Sequence, residues 1–190
     1  MKPRPESATL RPASARIPGA ARAAAGAATL ALAACASMLP PAIPAQFQPA
    51  AGEALAMIVP AKGVQIYECR ARADGATYEW VFVAPEAELL DAHGKTIGTH
   101  GAGPHWQSSD GSRVVGKLRQ RADAPAPGAI PWLLLGAEST GPQGAFSKVS
   151  SIQRVNTAGG VAPADGCSRE TAGRSARVGY RADYYFFTAR

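Results

Sequence analysis

Residues 77–84 read TYEWVFVA, with Tyr78, Trp80 and Phe82 on one parity and Glu79, Val81 and Val83 on the other. A period of two marks a β-strand, whose successive side chains point to opposite faces. The alternation predicts a strand that turns a row of aromatic rings toward a core. Residues 64–71, VQIYECRA, have the same β-branched and aromatic character, and Asp74-Gly75 between the two runs predicts a hairpin. Further strands are expected at residues 87–92, 95–100, 112–122, 130–139, 146–156 and 176–188, separated by turns at His93-Gly94, Asp110-Gly111 and Gly141-Pro142. In the last of these, Tyr184 and Phe186 share one face and Tyr185 and Phe187 the other. Both faces then need cover, which makes this strand internal to its sheet.

Helical periodicity is weak. GEALAMIVP, residues 52–60, predicts one or two helical turns stopped by Pro60, and no later segment sustains a 3.6-residue period. The fold class expected is mainly β with little helix: a single β-sandwich or a partly closed antiparallel β-barrel.

The first third of the chain follows a different rule. Lys2, Arg4, Arg11, Arg16 and Arg22 precede an apolar run of twelve residues, 23–34. That run is short of the roughly 20 residues that span a bilayer and has the length of a signal-peptide core. LAAC, residues 32–35, has the leucine, small, small, cysteine pattern of a bacterial lipoprotein cleavage box, with Cys35 as the lipidated residue; the alternative is an ordinary secretory signal cut at small residues nearby. Residues 1–34 are therefore read as a signal segment of lipoprotein type, 35–51 as a proline- and alanine-rich tether, and 52–190 as one β domain. The expected location is the periplasm or outer membrane, with a lipid anchor as the membrane contact, or secretion in the alternative case.

Charge and cysteine content follow from that division. The whole chain has 20 basic and 14 acidic residues, and the leading segment holds five basic residues and one acidic, Glu6, so the remainder carries 15 minus 13, or +2. The apparent basicity belongs mostly to the leader, and no nucleic-acid partner is expected. With Cys35 assigned to lipid, Cys69 and Cys167 remain as a pair in a compartment that oxidises thiols, and a disulfide between them is predicted. The chain-entropy model gives such a long closure about 4 to 5 kcal/mol as an upper figure.

Residues 94–117, GKTIGTHGAGPHWQSSDGSRVVGK, concentrate the candidate chemistry: His100, His105, Trp106 and Asp110 among six glycines. Imidazole and carboxylate on a tight loop are materials of a metal site, but the five-residue spacing of the histidines fits neither a helical zinc pair nor a finger, and no third ligand is evident. Three readings stand: a turn in which His100 bonds to backbone and Trp106 plugs an open end; a ligand-binding mouth lined by His100, His105 and Trp106 with Asp110 nearby; or a metal or catalytic centre. No G-x-S-x-G elbow or phosphate loop is present. Cys167 is a disulfide half before it is a nucleophile, Glu68 and Glu79 on adjacent strands are a candidate acid/base pair, and Arg113, Lys117, Arg119 and Arg121 share a parity that predicts one basic strand face.

The motifs YEC, HGAGPHW, DGS, PWLLL, SSIQRVNTAGGVAP, GC and YRADYYFF, in this order, resemble domain-of-unknown-function family 3455. Tyr67, Cys69, His100, Gly103, Pro104, Trp106, Gly160, Cys167, Tyr180, Ala182, Asp183 and Tyr184 carry the resemblance, which covers nearly all of the chain after Gly52; His105 is not part of it. The resemblance implies a secreted or envelope-associated, mainly β domain and assigns no activity. The function expected is a non-enzymatic binding or structural role in the cell envelope, through the HGAGPHW region, without a cofactor. The alternative is a metal-dependent enzyme or hydrolase using His100 with Asp110 or Asp183 as its carboxylate partner.

Overall fold

The computed structural model describes residues 43–190, so the basic leader, the apolar run and Cys35 lie outside the described residues. Eight strands follow one another: β1 (Glu53–Ala71), β2 (Tyr78–Leu90), β3 (Thr96–Gly101), β4 (His105–Ser108), β5 (Arg113–Ala122), β6 (Trp132–Ser139), β7 (Val149–Gly159) and β8 (Ser175–Ala189). Each pairs antiparallel with the next and β8 pairs back onto β1, so the sheet closes in a ring in chain order. Closure pairs every strand on both sides over part of its length, which limits the row of unpaired backbone groups that an open antiparallel sheet would expose.

Three local expectations are corrected. Residues 52–60 begin β1 rather than a helix, and Pro60 is tolerated because pairing with β2 starts only at Ala61, leaving β8 as the paired neighbour there. The runs at 77–84 and 87–92 are one strand that passes through Pro85. The parity of β2 changes where Val83 is inserted opposite the Ile66–Tyr67 step, a bulge that puts Phe82 across from Tyr67 and Pro85 across from Gln65. The aromatic row of β2 therefore faces the interior side but stands above the rim of the ring, and Phe82 is 50% exposed instead of buried.

The interior is filled toward the end where β1 begins. Val59, Leu89, Trp106, Val114, Phe146, Ile152, Tyr184 and Phe186 form one buried cluster, and each such side chain contributes about 1.5–3 kcal/mol by leaving water. Phe146, from the β6–β7 loop, closes the end where β1 begins and meets Phe186 edge-on at 5.0 Å. A second cluster lies outside the ring. Phe47, in a 3-10 turn at Ala45–Phe47, packs with Trp132, Leu134 and Val155, and Tyr185 packs against the group. Phe47 falls in the segment assigned by sequence to the tether, yet it is fully buried. The two-sided burial expected of β8 thus holds, with Tyr184 and Phe186 inside and Tyr185 and Phe187 outside.

The predicted disulfide joins Cys69 to Cys167. It ties the loop between β7 and β8 to the β1–β2 hairpin where that hairpin rises past the ring, at the end opposite Phe146.

Candidate functional site

His100 is the last but one residue of β3 and Trp106 the second of β4, joined by a turn in which Gly103 has φ 94°. The register sets His100 directly across from Trp106, so both side chains point inward as a cross-strand pair, with ring centroids 4.4 Å apart and planes at 14°. Gly116 of β5 makes room for the indole: a Cβ there would lie 2.8 Å from Trp106 Cζ3. His105 stands opposite Gly101, on the other face, with its Nδ1 on the Ala102 carbonyl at 2.7 Å. The register therefore separates the two histidines to opposite sides of the sheet, and no group of three metal-ligating side chains occurs among the described residues.

Asp110 is also separate from His100. It lies in the β4–β5 turn at the closed end, where one carboxylate oxygen accepts Ser112 N–H at 2.9 Å and the other accepts Ala145 N–H at 2.8 Å. These hydrogen bonds, led by the Ser112 hydroxyl, hold its carboxyl well below the usual carboxylate range. Asp183 accepts from the Asn156 amide at 2.9 Å. Glu68 and Glu79 do not face each other; they pair with Arg70 and Arg72 at 3.1 and 2.9 Å. The basic row of β5 is broken by a bulge between Leu118 and Gln120, which turns Arg121 to the interior side.

At the open end a cavity of about 420 Å³ enters the ring, within the range of about 300–1,000 Å³ usual for small-molecule sites. Its floor is Gln65 from β1, His100, Trp106 and Tyr184, all less than 5% exposed. Phe82, Val83 and Leu118 form the rim and are 50%, 45% and 54% exposed. Arg154 of β7 reaches in from the wall, with Nε and Nη2 donating to the Pro131 carbonyl at 3.1 and 2.8 Å, and Arg121 stands near the entrance. Among the described residues no Asp or Glu lines the cavity.

Hydrogen bonding on the floor is incomplete. Gln65 Nε2 and Trp106 Nε1 are buried donors without a partner of good hydrogen-bond geometry among the described residues, with only the nearby Tyr180 and Tyr184 hydroxyls beside them, a state that costs up to about 1–3 kcal/mol per group. His100 Nδ1 lies 2.8 Å from the His105 carbonyl; a carbonyl only accepts, so Nδ1 carries the proton and Nε2 keeps a lone pair. Burial lowers the His100 pKa to about 3, with Arg154 adding to the effect, so the ring is neutral at physiological pH. Burial raises the Tyr180 and Tyr184 phenols, and their hydroxyls approach to 3.4 Å. Tyr67 donates to the Gly160 carbonyl at 2.7 Å and props the β7–β8 loop beside the mouth. The floor thus offers donors together with acceptors, His100 Nε2 and the Gln65 amide oxygen among them.

The family profile described as protein of unknown function DUF3455 matches residues 49–188. The chain belongs to this family. No curated protein and no solved structure matches it. Most of the residues through which the sequence resembles DUF3455 gather at the open end: Tyr67, His100, Gly103, Pro104, Trp106 and Tyr184 line the cavity, and Cys69, Cys167 and Gly160 fix the hairpin and loop above it.

Of the residues singled out by sequence, His100 and Trp106 meet in this cavity, whereas His105 and Asp110 do not line it. Arg154 and Gln65 were missed. Arg154 shares the parity of Ile152, and a charged residue on a core-facing parity is the signal that could have found it.

Proposed function

We propose that this is an exported, lipid-anchored protein of the cell envelope that binds a small molecule in the open end of its ring, without catalysing a reaction on it. The observation that carries this reading is the floor of the cavity. A guanidinium with no acidic partner among the described residues opens onto a space of small-molecule size, whose floor buries two donors without partners of good geometry, beneath an apolar rim. Such groups are retained where a ligand completes them. His100 acts here as a neutral, stacked wall with no carboxylate beside it, and nothing among the lining residues forms a nucleophile and base pair.

Export is supported by the basic leader, the apolar run and LAAC of residues 1–35, and by a disulfide suited to an oxidising compartment. Lipid on Cys35 would hold the domain at a membrane, the one partner proposed besides the ligand. The test of the binding reading is native mass spectrometry of protein purified from its own envelope compartment, beside a Trp106→Ala, Gln65→Ala variant. A small molecule retained by the wild type and lost by the folded variant is expected. The apo mass in both, together with no response to a library of small amphiphiles, would refute the reading. For the anchor, Cys35→Ser is expected to move the protein from the membrane to the soluble fraction, and unchanged membrane association would refute it.

A further inference from the structure

We infer that the cavity takes a monoanionic amphiphile head-first, its anionic group against Arg154 and its apolar body rising between Phe82, Val83 and Leu118. The inference rests on the reading of the cavity as a ligand site and adds the ligand's charge, polarity and direction.

Charge comes from what lines the space. Arg154 and Arg121 are both there and no acidic side chain is. Arg154 is only partly exposed, and its hydrogen bonds go to a neutral carbonyl, which satisfies N–H groups but does not neutralise the guanidinium. A cation held in a partly buried, largely apolar wall is stabilised by an anion, and a guanidinium matches a planar carboxylate through paired N–H donors. Nε and Nη2 of Arg154 share a single carbonyl acceptor, and even with the Tyr184 hydroxyl close by, the guanidinium has more N–H donors than these acceptors use. Gln65 Nε2 and Trp106 Nε1, buried in the floor beside the Tyr180 and Tyr184 hydroxyls, add to its donor character.

Direction comes from exposure. The buried polar groups are at the bottom, where Gln65 is 2% and Trp106 1% exposed, and the rim, apart from the exposed Arg121, is apolar and half in water. A ligand with its charge outward would leave the floor donors unmatched and press its apolar part onto them. The reverse orientation matches both zones and also covers Phe82, Val83 and Leu118.

Isothermal titration of the tag-free chain, disulfide intact, with decanoate, decan-1-ol and decyltrimethylammonium tests this. Decanoate is expected to bind at least about tenfold more tightly than decanol, as a hydrogen bond to a charged group implies, and the cation not detectably. Arg154→Met, with cooperative melting retained, should remove the preference of decanoate over decanol; should that variant fail to fold, Arg154→Gln, which keeps a donor for Pro131, is expected to do the same. Equal binding of decanol and decanoate by the wild type would overturn the charge assignment and leave the cavity as a ligand site. Preference for decanoate persisting in the folded Arg154 variant would overturn the role of Arg154. No binding of any of the three by the wild type would overturn this inference, and the wider reading would then fall or stand on the native mass spectrum.

Discussion

At one end of the ring Phe146 folds inward against Phe186 and its backbone N–H is held by Ser112 Oγ at 3.0 Å, which in turn donates to Asp110 at 2.6 Å. At the other end Phe82, Val83 and Leu118 stand half exposed around a floor whose donors are not all matched. The closed end has a loop that brings an aromatic plug with its backbone N–H held by Ser112, although Arg113 Nε nearby is also without a partner, and the open end has no such plug. Where a sheet closes, its interior is either packed or available. Stability is expected to concentrate at the plugged end and binding at the open one.

The largest effect that separates the two ends is expected from Phe146→Ala, which unplugs the closed end and should lower the unfolding free energy by about 3–5 kcal/mol. Phe82→Ala, at the half-exposed rim, should change it by less than about 1 kcal/mol; both are read from urea denaturation. Equal losses at the two positions would erase the distinction. Replacing Cys69 and Cys167 together by serine comes next, at about 2–5 kcal/mol, since the bridge constrains the unfolded chain over a long loop.

pH should then act differently at each end. His100 has its folded-state pKa lowered from 6.5 to about 3 by burial, so between these values the unfolded chain binds a proton that the folded chain does not. Stability contributed by the neutral ring is present above about 6.5 and lost as pH falls toward 3, with a slope of at most about 1.4 kcal/mol per pH unit. His100→Phe should flatten that slope in denaturation curves taken from pH 7 to pH 4. The smallest effect is at Asp110, whose carboxyl is lowered from 3.8 by the Ser112 and Ala145 hydrogen bonds. Its contribution is present above the ordinary carboxylate value and disappears as pH falls below it. The melting temperature of Asp110→Asn should therefore lie below that of the wild type at pH 7, and the gap should close in acid.

Strand content was legible because the pleat imposes a period of two that the sequence keeps through most of β5 to β8. The departures have local causes. β4 is four residues long and lies in a glycine-rich stretch, too short for a period to register. The bulge in β2 keeps its aromatic row on the interior side, but β3 pairs with β2 only at Ala87–Leu90, so a row read as core stands past the neighbouring strand at the rim. Long-range closure, β8 onto β1, leaves no mark in local patterning, which is why sandwich and barrel were equal readings of the same residues. His100 and Trp106 could be singled out because they are adjacent in the chain and on facing strands. Gln65, Arg154 and Tyr184 come from three other strands and meet them only when the ring closes, while Asp110, close in sequence, is carried to the opposite end by four residues of β4.

The central claim is that the unmatched floor donors belong to a ligand, and Trp106 reports on it directly. In a ¹H–¹⁵N spectrum of indole groups, the chain gives three signals. Trp80 donates to the Asp165 carbonyl at 2.9 Å, Trp132 lies buried on the outer wall under Phe47, and Trp106 faces the cavity. On titration with decanoate the Trp106 indole N–H is expected to move most, downfield as it gains an acceptor, while Trp132 stays in place. Trp106 unmoved while decanoate binds, or Trp132 moving as far as Trp106, would contradict the account.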